Sequence, residues 1–219
     1  RAVAQVPVLA SLVLGALPVA EFGTATQKKA WLPGVASGTM VLTAGLQELA
    51  NDDPCRPATT ARKDGAGWTL DGVKIGVPSA DMAARILIPA ATGKGTVGVF
   101  LVDPKAPGVT IERQVLANAE PHGKVTLRGV KVGADGVLGD PTAGTAVVTW
   151  MTERAIAAFC AVQVGVCDKA IRMTAAYTTE RKQFDRPIAT FQAVQQRAAD
   201  AFIELDIIRM ATWEALYRL

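Results

Sequence analysis

The sequence predicts an α+β chain: helices first, then an antiparallel β-barrel or sandwich, then an antiparallel helical bundle. Three observations predict it. Between Thr39 and Leu138 short apolar runs are separated by turn residues. From Gly144 on, apolar residues recur every three or four positions along two long stretches. Strand-like and helix-like segments do not alternate, which excludes a doubly wound parallel sheet. The expected segments are 1–38, helical; 39–140, β; and 141–219, helical.

Each element has its own signal. Val6 to Ala20 is almost wholly apolar, broken by Pro7 and Pro18. A membrane-crossing helix needs about 20 apolar residues, so this run reads as a buried helix. A signal-peptide core with Arg1 before it also suits the length. Thr24 and Gln27 have capping-box spacing and open a short helix through Trp31, which Pro33-Gly34 stops. Met40 to Ala44 reads as strand. Asp71-Gly72, between Trp68-Thr69-Leu70 and Val73-Lys74-Ile75, reads as a two-residue hairpin turn. Arg85 to Ile88 is a strand bounded by Pro89. Thr96 to Val102 is another, closed by Asp103-Pro104, and Val109 to Ile111 follows Pro107-Gly108. Arg128-Gly129 marks a second hairpin. Strands of this kind close as a barrel or sandwich, because open edges invite aggregation. The first long helical stripe runs through Met151, Ala155, Ala158, Val162, Val166, Ala170, Met173 and Tyr177. Arg186-Pro187 breaks it, and Thr190 caps the next helix. The second stripe runs through Phe191, Val194, Ala198, Phe202, Leu205, Ile208, Thr212, Ala215 and Leu219. A short connection makes the two helices antiparallel neighbours.

Composition narrows the function classes. The chain has 219 residues, half of them apolar and 20% charged, which is a globular balance. Its net charge of +3 is dispersed, with no basic stripe for nucleic acid. Three cysteines make no disulfide framework and no zinc set. Cys160 and Cys167 read as buried thiols. His122, the one histidine, sits in the polar loop Glu120-Pro121-His122-Gly123 and is a poor triad member. Arg1 at the start and an uncapped helix at Leu219 suggest a piece of a longer subunit.

Function becomes legible in the last quarter. The run Tyr177, Glu180-Arg181-Lys182-Gln183-Phe184-Asp185-Arg186-Pro187-Ile188, Phe191-Gln192-Ala193-Val194, Ala199-Asp200, Arg209 and Trp213 closely resembles the acyl-CoA dehydrogenase family. Weaker matches are Glu21 to Thr24, Leu32-Pro33-Gly34, Trp68 to Lys74, Pro107-Gly108-Val109, Gly129 to Val132 and Leu138-Gly139. The resemblance implies the family's fold: the end of an N-terminal helical domain, a middle β domain and the start of a C-terminal bundle.

It also implies the chemistry. An FAD flavoenzyme removes the α proton of an acyl-CoA thioester with a carboxylate, and the β hydride passes to flavin N5. A thioester α proton is only weakly acidic, so the base must be desolvated and the developing enolate hydrogen-bonded. By resemblance Glu153 is the base and Arg154 helps hold the CoA part of the substrate. Arg181 reaches the FAD pyrophosphate of a neighbouring subunit, Phe184 lies by the flavin and Gln192 by its adenine end. Glu153 is off the apolar stripe of its helix; read from the residues alone it is equally a solvated first-turn carboxylate, and Arg181 an i, i+4 partner of Asp185.

The chain departs from the family at three places. Gln47-Glu48-Leu49 and Asn51-Asp52-Asp53-Pro54 stand where a T-E-P-like run and a G-S-D-like loop are usual. Gly76-Val77-Pro78-Ser79 replaces the flavin-stacking W-x-T, and Asp185 replaces a glycine. These departures are similar to subunits of heteromeric actinobacterial enzymes acting on steroid side-chain thioesters. The readings are therefore a base-carrying dehydrogenase subunit, a non-catalytic partner that completes an FAD site, or a flavin oxidase or monooxygenase on the same scaffold. The resemblance further implies a homo- or hetero-tetramer, an electron-transfer flavoprotein as acceptor, a cytoplasmic location, and neither membrane nor nucleic acid as partner.

Overall fold

The structure, a computed structural model, describes residues 6–117 and 119–219. Arg1, and with it the start of the leader reading, lies outside the described residues. Two compact units divide the chain, one running to Ala155 and the other from Ile156 to Leu219.

The first apolar run is helical, as π turns over Leu9–Ala16 that continue into α1 (Leu17–Phe22). It is not buried all round: Ala10, Leu14 and Val19 face the core, while Val8, Leu12 and Leu17 face out. Pro18 falls in the first turn of α1, just past its join with the π turns. Thr24 and Gln27 form the capping box at the start of α2 (Ala25–Ala36). That helix passes through Pro33 instead of stopping there. Proline removes one amide bond, and the turn beyond it is still held by Ser37 N–H donating to the Pro33 carbonyl. The stop comes at Gly38, in the left-handed region at φ 73°.

The β part is one open eight-stranded sheet. Its strands are β1 (Val41–Ala44), β2 (Thr60–Asp64), β3 (Gly67–Pro78), β4 (Ala83–Gly93), β5 (Thr96–Val102), β6 (Val109–Val115), β7 (Pro121–Val132) and β8 (Val137–Leu138). They run in the order β6-β7-β3-β2-β4-β5-β8, with β1 paired to β4. The end strands β6 and β8 do not pair, so the sheet is not a closed barrel. A sandwich-like arrangement survives, because β3, β4, β5 and β7 all contribute to one core. Nor is the sheet wholly antiparallel: β1 lies parallel to β4, and Thr60 of β2 meets Ala91 of β4 in parallel register.

Neither expected hairpin turn exists. Asp71-Gly72 lies inside β3 and Arg128-Gly129 inside β7, and both are irregularities in the β3–β7 register. Asp71 alone opposes Arg128 and Gly129, and its Oδ1 accepts the Gly129 N–H at 2.8 Å, so the residue opposite the bulge caps it. Gly72 is needed for contact rather than for turning, since a Cβ there would lie 2.7 Å from Thr59 Cα. The true β2–β3 turn is Gly65-Ala66, between the paired Asp64 and Gly67. Pro89 does not end its strand either. Leu87 O accepts from Gly45 and Ala91 N–H donates to Thr59, so Pro89 faces the gap between β1 and β2, where no amide is wanted.

Both sheet faces near β4 and β5 are dry. Ile86, Ile88, Phe100 and Val102 enter the inner core. Leu87, Val97, Val99 and Leu101 meet Leu14, Val19, Val35 and the start of α3 (Gly144–Glu180) at Val147, Val148 and Met151. Full burial of each such side chain contributes about 1.5–3 kcal/mol.

In the second unit α3 continues, turns through β9 (Lys182–Gln183) and β10 (Arg186–Pro187), and returns as α4 (Gln192–Arg218). The stripes are only partly covered. Leu205 and Thr212 are buried, whereas Val162, Val166, Met173, Tyr177, Phe202 and Ile208 are exposed. A two-helix hairpin has one seam, and these stripes are wider than one seam. For the same reason Cys160 is exposed and Cys167 half-buried, instead of both being buried.

Gly15 lets the first helix approach β1, because a Cβ there would lie 2.7 Å from the Leu42 backbone carbon. Gly15→Ala is expected to destabilise the unit that ends at Ala155 by about 1–3 kcal/mol, seen as a lower urea midpoint.

Candidate functional site

Between β1 and β2 runs a connection without regular structure, and one carboxylate organises it. Glu48 Oε1 accepts from Lys74 Nζ at 2.7 Å, from Thr59 Oγ1 at 2.6 Å and from Thr59 N at 2.9 Å. Its Oε2 accepts from Ala58 N at 2.6 Å and from Asn51 Nδ2 at 3.2 Å. The Lys74 side chain is 0% exposed and that of Glu48 5%. Burial disfavours the Glu48 charge, but the hydrogen bonds from Lys74 and Thr59 outweigh it and lower its pKa to about 2. Burial also pulls the Lys74 ammonium below its ordinary value, against the pull of Glu48. Sequence inspection noted both residues for other reasons and missed the pair, because their separation of 26 positions carries no local signal.

The connection reaches the start of α3. Cys55 Sγ lies 3.5 Å from Thr149 Oγ1. One turn on, at i+4, Glu153 shares the Thr149 face. Glu153 is 55% exposed, with Arg154 Nη1 3.8 Å from its Oε2. Met151, two positions earlier, is fully buried, so Glu153 is off the apolar stripe as expected. Arg154 is more constrained. Its guanidinium lies 3.8 Å from the Trp150 ring centroid, and its Nη1 donates to the Trp150 carbonyl at 3.3 Å. Trp150 is itself held edge-on by Phe22.

The 76–79 segment satisfies its own polar groups. Gly76 N–H donates to Gln114 Oε1 at 2.7 Å, and the Pro78 carbonyl accepts from Thr43 Oγ1 at 2.7 Å. Ser79 N–H donates to the Pro121 carbonyl. His122 sits opposite Pro78 in the β3–β7 ladder, with Nδ1 3.3 Å from Glu120 O. No group of three or more potential metal ligands occurs among the described residues. Nor is any helix there long and apolar enough to cross a membrane.

Arg181, Phe184 and Gln192 belong to the other unit and cluster at its hairpin. Arg181 leaves α3 with its N–H on the Tyr177 carbonyl and its own carbonyl on Ile188 N–H. Phe184 and Asp185 form the two-residue turn, both left-handed at φ 51° and 60°. Aspartate tolerates that region and phenylalanine does not, at about 1–3 kcal/mol. Phe184 is nonetheless 87% exposed. Arg186 stacks on Phe191 at 4.3 Å, which stiffens the base of the hairpin. Gln192 is the exposed first residue of α4. Phe191 stands at the N-cap, and Thr190, expected there, donates instead to the Pro187 carbonyl.

Residues 142–219 match the family model described as acyl-CoA dehydrogenase, C-terminal domain. The chain is 35% identical to acyl-CoA dehydrogenase FadE27 of Mycobacterium tuberculosis, over 99% of this chain and 56% of that protein. Among solved structures it is similar to a variant of the Tcur3481-Tcur3483 steroid ACAD, at 42% identity and a TM-score of 0.87, over 98% of this chain and 56% of that one. It is also similar to the ChsE4-ChsE5 complex from Mycobacterium tuberculosis, at 33% identity and a TM-score of 0.87, over 98% and 57%. The chain thus spans a little over half the length of each of these relatives.

Removing one partner of the buried pair leaves a charge stranded. Lys74→Met is expected to cost about 3–5 kcal/mol, and Glu48→Gln with Lys74→Met to recover most of it, by urea denaturation. The depressed Glu48 pKa means its stabilisation is present above its unfolded value of 4.5 and lost as pH falls toward about 2. The double variant is expected to flatten that acid limb.

Proposed function

The chain belongs to the acyl-CoA dehydrogenase family, and on that premise we propose that it is part of an FAD-dependent enzyme that dehydrogenates an acyl-CoA thioester between its α and β carbons. The observation that carries the reading is a carboxylate and a guanidinium set side by side on the open face of α3, Glu153 and Arg154. Glu153 takes the α proton. Arg154, locked on Trp150, offers a fixed positive charge to the CoA part. The flavin, when bound, accepts the β hydride.

The residues present fit FAD unevenly. Arg181 suits a pyrophosphate, because a guanidinium grips phosphate oxygens as a fork. Phe184 offers an exposed ring in a strained turn, and Gln192 an exposed amide at the start of α4. The 76–79 segment does not fit a flavin ring: its amides are spent within the protein and Pro78 has none. We therefore infer a cofactor shared between subunits, which this chain supports from its hairpin. The exposed stripes of α3 and α4 support assembly with further helices and subunits. A bulky steroid-type acyl group and a hetero-tetramer are the preferred substrate class and assembly, and an electron-transfer flavoprotein is the preferred acceptor.

The same segment favours a second reading, in which this subunit only completes a partner's FAD site. The two readings separate in the full-length protein co-expressed with a companion acyl-CoA dehydrogenase subunit. Turnover of thioesters from butyryl-CoA to steroid side-chain CoA is followed with a dye acceptor. Under the first reading, Glu153→Gln lowers kcat by about 10²–10⁴-fold with unchanged flavin content. Unchanged turnover assigns the supporting role. Arg181→Ala is expected to lower the flavin absorbance per complex under either reading.

A further inference from the structure

The Glu48–Lys74 pair is buried in the sheet, yet the connection it organises ends against the helix face that carries Glu153. Five hydrogen bonds converge on Glu48 from Asn51, Ala58, Thr59 and Lys74. They fold residues 45–59 back on themselves, and Asp53 Oδ1 accepts the Cys55 N–H at 2.9 Å. That orders the segment that carries Cys55. Cys55 in turn packs on the core beside α3 and touches Thr149. The chain of contact runs from Lys74 through Glu48, the 45–59 connection and Cys55 to Thr149, and Glu153 lies one helical turn on along the same face. We propose that Glu48 and Lys74 are positioning residues for Glu153, acting through this connection, which they hold as a fixed wall beside the proton-accepting face of α3.

The inference rests on the reading of Glu153 as the base. An ion pair is suited to the task. Its geometry is specified by five directed bonds, where an apolar contact of the same volume leaves the connection free to slide. A displacement near 1 Å at a reacting group costs up to about 10²-fold in rate. Loosening the wall is thus expected to act on kcat without altering affinity for the thioester.

The test uses the full-length complex and the thioester that the wild type turns over fastest. In Glu48→Gln with Lys74→Met, alkylation of Cys55 by iodoacetamide, read by mass mapping of its peptide, is expected to quicken about tenfold. The kcat is expected to fall about 10- to 100-fold, with KM within twofold and flavin content unchanged. Thr149→Val leaves the pair intact, cuts the contact at its outer end, and is expected to lower kcat by several-fold. It carries the test if the double variant does not fold. Unchanged kcat in a folded double variant, or in Thr149→Val when that variant stands alone, overturns the inference. So does a kcat loss that merely tracks lost flavin or raised KM. Full turnover by Glu153→Gln overturns the base reading and this inference with it. An inactive Glu153→Gln beside an unaffected double variant overturns this inference alone.

Discussion

A lysine ammonium out of reach of water sits 2.7 Å from a carboxylate that takes four further hydrogen bonds. Two charges in such a place are tolerable only together, since either alone retains the full desolvation penalty. The arrangement ties three things that sequence distance keeps apart: the end of β1, the middle of β3 and the start of β2. Gly45, at the head of the connection, leaves room for the Lys74 stem, with Lys74 Cβ and Cγ each 3.1 Å from where a Cβ would stand. The Gln47–Ile75 bridge repeats the attachment through the backbone. A long irregular connection is thereby kept still beside a helix face that bears titratable groups.

The sheet solves a similar problem on its other side. A bulge at Arg128-Gly129 of β7 faces the single residue Asp71 of β3, whose carboxylate satisfies the amide that the bulge frees. Dipeptides that serve as turns in isolated hairpins serve here to bend paired strands around a core. The choice was tertiary, because the Asp71 side chain found Gly129 and Arg62 across the sheet rather than its own backbone.

The helical hairpin buries Leu205 and Thr212, adds an ion-pair cluster at its seam, and leaves much apolar surface outside. Asp168 draws Arg172 from its own helix and Arg209 from the other, fixing the antiparallel pair with charge. At its closed end the strained Phe184–Asp185 turn displays an aromatic ring that meets Phe191 edge-on at 6.2 Å.

Local chemistry alone determined much of this protein. The Thr24–Gln27 capping box, the β5 strand, the two long helices and the break near Arg186-Pro187 all follow from short-range rules, and all are present. The residues from Tyr177 to Trp213 carried the resemblance to the family, because a hairpin between two helices is a local motif. Tertiary structure decided the rest. It set Asp71-Gly72 against a bulge at Arg128-Gly129, carried α2 through Pro33 and β4 through Pro89, left the sheet open, and paired Glu48 with Lys74. In each case the winning interaction came from residues distant in sequence: an amide across a ladder, a gap between two strands, an ammonium 26 positions away. Periodicity has no access to such partners, because it records which face a residue takes and not what waits on that face.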